Sequence, residues 1–204
     1  MLFVLLLSFS SVLASAPPPK YDLVGQSNVI RFEFIDNDIP IKGEFRSFSN
    51  VHIAFDENNL SDSKVDVEVS LHDKEKKRST VVSNNRYVKK YIELKEWLDS
   101  TIYPYSRFIS EAITINEGDQ KDKYPYLARG QLSIKGKTLP ATIFFNMKTD
   151  DHLPKNKIAN GELTINIRDY KIGTGAWGEG ISDKVKLDFY IVLHQKESSI
   201  VNTD

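Results

Sequence analysis

The residues with the most obvious chemical potential are the glycines of Gly173-Thr174-Gly175-Ala176-Trp177-Gly178, which satisfy G-x-G-x-x-G. That pattern holds a dinucleotide pyrophosphate when a helix follows and its free amide hydrogens meet the phosphates. Here the chain runs instead to Ser182-Asp183 and a stretch of alternating residues, so the glycines read as a flexible loop whose one large apolar group is Trp177. His52, His72, His152 and His194 are scattered, with no H-x-x-x-H spacing among them, and each reads as a surface or strand-end residue. No metal site is expected. Asp36-x-Asp38 and Asp150-Asp151 fall in turn-forming sequence, where Asp bonds the local backbone. No serine sits in a G-x-S-x-G elbow. The absence of cysteine removes a thiol nucleophile, disulfides and a Cys–zinc site together. Asn59-Leu60-Ser61 is a formal glycosylation acceptor, which matters only in a host that glycosylates secreted proteins. The sequence therefore offers many apolar side chains, no catalytic residue and no cofactor to recruit.

What those side chains share is a two-residue rhythm. From Arg129 to Met147, Leu132 and Ile134 alternate with polar neighbours, a turn falls at Gly136-Lys137, and Leu139, Ala141, Ile143, Phe145 and Met147 resume on one face. An isolated hairpin is marginal in water, so further strands must close over its apolar side. Ile30, Phe32 and Phe34 face away from Val29, Arg31 and Glu33 in a first strand. Ile41, Gly43 and Phe45 form a second, Val51, Ile53 and Phe55 a third, and Val65, Val67, Val69 and Leu71 a fourth. Further strands run over Phe108–Ile115, Tyr124–Ile134, Gly161–Arg168 and Lys184–His194, with Leu163, Ile165, Ile167, Val185, Leu187 and Phe189 inward. The beat breaks between His72 and Tyr103. There Lys74 to Arg78 is a charged run read as a solvated loop, and Tyr87, Val88, Tyr91, Leu94, Trp97 and Leu98 recur at helical spacing.

Eight or nine short strands with a helical insert at about 84–99 predict an all-β fold: a closed antiparallel barrel of about eight strands, since closure removes exposed edges. No shift in composition divides the 204 residues, so one domain is expected. Charge is balanced at a net −1, which excludes a basic field for nucleic acid. The apolar run MLFVLLLSFSSVLASA is too short for a stable membrane span of about 20 residues and ends in small residues. It reads as a secretory leader over 1–14, or to Ala16 if the cut falls before Pro17, placing the mature protein in the periplasm or outside the cell. A barrel of this size is either filled by its own side chains or holds one elongated ligand, and composition leaves both open.

The chain holds in order Tyr21-Asp22, Gly43-x-Phe45, Phe55-Asp56, Leu94-x-x-Trp97-Leu98-Asp99 with Tyr103-Pro104, Gly130-Gln131-Leu132-Ser133-Ile134-Lys135-Gly136 with Pro140, Ile167-Arg168-Asp169-Tyr170, and Ser182-Asp183-x-Val185. This ordered set resembles the YceI-like family of periplasmic proteins. The resemblance implies a lipocalin-like barrel over 20–196, ahead of a polar tail at 197–204. It also implies a non-enzymatic carrier for an isoprenoid-type amphiphile: a polyisoprenoid, an isoprenoid phosphate or a quinone. Alternation then makes Phe32, Phe34, Phe45, Phe108, Leu132, Ile134, Phe145, Ile165, Ile167, Leu187 and Phe189 the candidate tail-lining residues, with Trp97, Leu98 and Trp177 nearer a mouth. Arg168 is either a head-group partner or, as an outward strand residue, one paired on the surface. Two further classes stay open: an interaction protein with a packed barrel that works through the 74–78 loop or the helices, and an enzyme acting on a bound lipid. A homodimer stays open too.

Overall fold

The computed structural model describes residues 16–83 and 85–197. The leader expected over 1–14 and residues 198–204 of the expected tail lie outside the described residues. Twelve strands, β1 (Lys20–Leu23), β2 (Val29–Asp36), β3 (Ile39–Phe45), β4 (Phe48–Ala54), β5 (Lys64–Ser70), β6 (His72–Asp73), β7 (Arg78–Ser79), β8 (Tyr105–Ile115), β9 (Tyr126–Ile134), β10 (Lys137–Thr149), β11 (Asn156–Asn166) and β12 (Lys184–Gln195), accompany one helix, α1 (Arg86–Glu93). All pairings are antiparallel, and the main sheet closes because β1 bonds both β4 and β12. β1 and β2 run in succession along β12, and β3 and β4 follow one another, so the wall counts as eight strands around. Asn28 repairs the break between β1 and β2. Its amide donates to the Val24 and Gly25 carbonyls at 3.1 and 3.2 Å, and its oxygen accepts from Val192 N–H at 2.7 Å.

Two turns set the register. In the β9–β10 hairpin Ile134 pairs with Lys137, so the loop is Lys135-Gly136, with φ of +50° and +71°. Two successive left-handed residues make the turn whose twist matches the strands. The sequence places the turn one residue too late, since the Gly fills the second loop position rather than the first. The β2–β3 hairpin repeats the device with Asn37-Asp38 between the paired Asp36 and Ile39.

The apolar face of each strand meets at the barrel axis, where Phe55, Phe145, Leu193 and their neighbours are buried. Alternation assigns a face but not exposure: Val29, expected outward with Arg31 and Glu33, is buried as well. Small residues make room for rings. A Cβ on Gly43 would collide with the Phe32 ring, and one on Gly161 with that of Phe189.

The charged run Lys74–Arg78 is exposed as expected, forming the tip of the β6–β7 hairpin and the first residue of β7, with His72 opposite Ser79 and Asp73 opposite Arg78. Two expectations need correction. The insert is helical only over Arg86–Glu93, capped by Asn85, whose side chain accepts from Tyr87 N–H at 2.9 Å. It ends where Leu94 turns extended so that the chain can double back through Asp99 (φ +50°) and carry Trp97 to the barrel. The strand expected to reach Arg168 stops at Asn166, and Ile167–Tyr170 is a 3-10 turn capped by the Asn166 side chain at 2.9 Å.

Outside the barrel, Arg107 grips Asp66 on the neighbouring strand with Nε and Nη2 at 2.7 and 2.6 Å. Hydrogen bonding to that guanidinium holds the Asp66 carboxyl below the usual carboxylate range. The stabilisation is complete above the unfolded carboxyl value near 4 and is lost as pH falls through the lower folded value. Asp66→Asn is therefore expected to lower Tm at neutral pH, with the gap to the parent closing below about pH 4. A gap that stays constant with pH would show that the charge is not what matters.

Candidate functional site

One end of the barrel is shut by three rings. Phe55 meets Tyr126 edge-on at 5.1 Å between centroids, and Phe145 lies 6.0 Å from Phe55 and 5.4 Å from Tyr126. Burial pushes the Tyr126 phenol up from its ordinary value, as it does that of nearby Tyr21. These rings form an aromatic floor.

The other end is covered by a lid of the β6–β7 hairpin, α1 and the 94–104 turn. A file of rings crosses from the barrel into it. Phe45 to Phe32 is 5.5 Å, Phe32 to Phe34 6.2 Å, Phe34 to Trp97 5.4 Å, Trp97 to Tyr91 5.5 Å and Tyr91 to Tyr87 6.2 Å. Trp97 is thus the joint where wall aromatics hand over to lid aromatics. Between floor and lid lies a cavity of about 230 Å³. Its lining is almost wholly apolar. Arg107 and Asp188 border it, yet their charged ends pair with Asp66 and Arg31 on the outer face.

Phe32, Phe34, Phe45, Phe108, Leu132, Ile134, Phe145, Ile165, Ile167, Leu187 and Phe189 all border this space, as do Trp97 and Leu98 from the lid. Ile167 does so from the 3-10 turn rather than from a strand. The side chain of Trp177 lies outside the described residues. Ala128, Ile143, Leu163, Ile172, the β5 valines and Ile92 of α1 also line the cavity and are absent from the sequence-based set. Alternation marks the valines and Leu163 as inward, and a choice weighted toward aromatic residues passes over them.

Polar satisfaction separates wall from lid. Among the described residues, three buried side-chain atoms lack a hydrogen-bond partner: His72 Nδ1, Trp97 Nε1 and Ser100 Oγ. All three belong to the lid. His72 is the strand-end residue that opens β6 rather than a surface one, and it is buried. Its Nδ1 stands 3.7 Å from Glu93, too far for a hydrogen bond. Each such atom costs roughly 1–3 kcal/mol, a cost that falls on the lid and not on the wall.

The model of the YceI-like domain matches residues 21–193. The chain belongs to the YceI-like family. Solved structures agree on the fold. Burkholderia cenocepacia BcnA superposes with a TM-score of 0.70 at 21% identity, over 84% of this chain and 99% of that one. A polyisoprenoid binding domain from Saccharophagus degradans, implicated in plant cell wall breakdown, gives 0.59 at 12% identity over 86% and 98%. The Campylobacter jejuni YCEI protein gives 0.54 at 18% identity over 78% and 86%. Among curated proteins none matches the sequence.

In this YceI-like protein the G-x-G-x-x-G segment has a structural purpose. Arg168 is not an outward strand residue: it sits in the 3-10 turn and clamps the glycine loop. Its Nη2 donates to the Gly178 and Ile181 carbonyls at 3.0 Å each, Nη1 to those of Ile172 and Gly173, and Nε to Asp183 at 2.8 Å. A Cβ on Gly173 or Gly178 would press on that guanidinium, so the glycines make room for an arginine of the same chain. The clamp has no signature in the sequence, because Arg168 continues the alternation of β11. Among the described residues no group of three His, Asp or Glu side chains is arranged to hold a metal. The loop in turn meets the lid, as Gly173 N–H donates to the Glu96 carbonyl at 2.7 Å.

Proposed function

We propose that this protein is a carrier, exported to the periplasm or beyond, that encloses the apolar tail of an isoprenoid-type lipid and performs no chemistry on it. The observation carrying this reading is the apolar cavity of about 230 Å³ between the Phe55–Tyr126–Phe145 floor and the ring-filled lid. A solidly packed barrel serving only as an interaction scaffold would leave no such space. The likeness in fold to a polyisoprenoid binding domain adds support.

Each buried CH₂ contributes about 0.8 kcal/mol, so a few isoprene units hold a ligand without any ionic contact. The cavity is smaller than the 300 Å³ or so at which ordinary ligand pockets begin. A long tail therefore enters only as the lid rings Trp97 and Tyr91 give way, and the unsatisfied polar atoms put the lid in a state that yields. No charged side chain points into the space, which favours a polyisoprenoid or quinone tail inside with any phosphate left at the mouth.

Native mass spectrometry of freshly purified protein is the direct test. We expect a lipid-sized mass increment that disappears on solvent extraction, and the same spectrum reads whether the protein is a monomer or a homodimer. Protein that emerges empty from repeated mild preparations would overturn the carrier reading.

A further inference from the structure

Charge in this chain is balanced in sum but not in place. Residues 73–95, which run from the β6–β7 hairpin through α1, hold eight lysines and arginines against three acidic residues. That is a net +5 in a chain of net −1. The loops 56–63, 116–125 and 150–155, which all lie at the floor end, hold eight acidic residues against three lysines, a net −5. The molecule is polarised along the barrel axis, with the lid insert as its positive pole.

Lys74 sits 5.6 Å over the Tyr105 ring, but five of these cations are not spent on the fold. Lys77, Arg78, Lys89, Lys90 and Lys95 are exposed, and among the described residues none has a carboxylate within 4 Å, whereas Lys76 does pair with Asp73 at 3.2 Å. Beside them, Val82, Tyr87, Ile102 and Tyr105 emerge from the same end with 40–66% of their surface exposed. Tyr87 is also the outermost ring of the file that leads to the cavity. The opposite flank of the mouth carries Asp36, Asp38 and Glu179, none with a cation within 4 Å among the described residues, so contact with an anionic surface is biased to the insert side.

We propose that the insert flank of the lid docks on an anionic bilayer surface, its lysines among the headgroups and Tyr87, Val82 and Ile102 at the boundary with the acyl chains. Uncompensated basic residues interleaved with tyrosine and aliphatic side chains suit that layer, where charge attracts and the apolar groups insert. The floor-end loops are repelled by the same surface, which turns the mouth toward the membrane before contact. The choice of a bilayer as partner rests on the lipid-carrier reading. Docking itself is measured without reference to the cargo.

The test is flotation of the purified protein with vesicles of phosphatidylcholine alone or mixed with phosphatidylglycerol. Binding is expected only to the anionic vesicles and is expected to fall as salt is raised. The variant Lys77→Glu/Lys89→Glu/Lys90→Glu is expected to lose about a hundredfold in partitioning or more. A second variant, Lys64→Glu/Lys121→Glu/Lys155→Glu, makes the same change in net charge at the floor end and is expected to lose less than about threefold. Equal losses in the two variants, or no preference for anionic vesicles, would overturn the proposal. Both variants are melted to show that they fold, and both are weighed for co-purified lipid. Lipid retained together with lid-independent vesicle binding sinks docking and spares the carrier. Lid-dependent binding by protein that never holds lipid does the reverse.

Discussion

Ala128→Phe is expected to abolish lipid retention while leaving the fold and Tm nearly unchanged. Ala128 is the third residue of β9, two beyond Tyr126 of the floor, buried between Ile113 on β8 and Ile143 on β10, and it borders the cavity. A phenyl ring added there points at the space a tail would use. A dry void of about 150 Å³ accepts a benzene ring, so a space of about 230 Å³ takes the new side chain and little else. In a barrel already filled, the same substitution would force neighbours off their rotamers and cost about 1–3 kcal/mol. Displacing one isoprene unit forfeits about 4 kcal/mol of burial, or roughly three decades of affinity. The measurement pairs native mass spectrometry with thermal melting. A Tm that collapses would show a packed core, and unchanged lipid content would show that the lipid binds somewhere else.

That such an experiment can be designed on one alanine reflects what alternation encodes and what it leaves out. Period two fixed which side of each strand is apolar, so Phe32, Leu132, Phe145, Ile165 and Phe189 point to the axis as expected. It carries no information on how a strand ends. Ile167 and Arg168 continue the alternation of β11 perfectly and yet turn off into a 3-10 helix, because Asn166 caps that turn and Arg168 is drawn to carbonyls ten and more residues downstream. The helical spacing of Tyr87, Val88 and Tyr91 was equally plain, but the break at Leu94 was not, since Trp97 obeys the barrel rather than the helix. The size of the cavity was the least legible quantity. It depends on whether rings such as Phe32 lean over Gly43 or stand into the axis, a matter of tertiary packing that composition cannot state.

At Arg168 a substitution is expected to harm stability through lost hydrogen bonds rather than lost packing. Replacing it by Ala strips partners from four backbone carbonyls, those of Ile172, Gly173, Gly178 and Ile181, and from the Asp183 carboxylate. Charged hydrogen bonds are worth more than neutral ones, and a carbonyl left without its donor carries its desolvation cost. A loss of about 3 kcal/mol is a conservative sum for a site that stays partly wet, and it corresponds to a Tm lower by roughly 6–12 °C in a domain of this size. Arg168→Lys discriminates between mechanisms. A lysine keeps the charge but is a point donor, so it cannot bridge carbonyls that converge on a planar fork. It should therefore resemble Ala rather than the parent, and Gly178→Ala should join them, because its Cβ would strike the Gly173 carbonyl. Hydrogen exchange should accelerate across 171–183 and, through the Gly173–Glu96 bond, at the adjoining lid turn, with faster release of lipid from a barrel wall that stays protected. If Arg168→Lys instead melts with the parent and exchange at the lid is unmoved, the loop is held by other bonds and the lid opens independently of it.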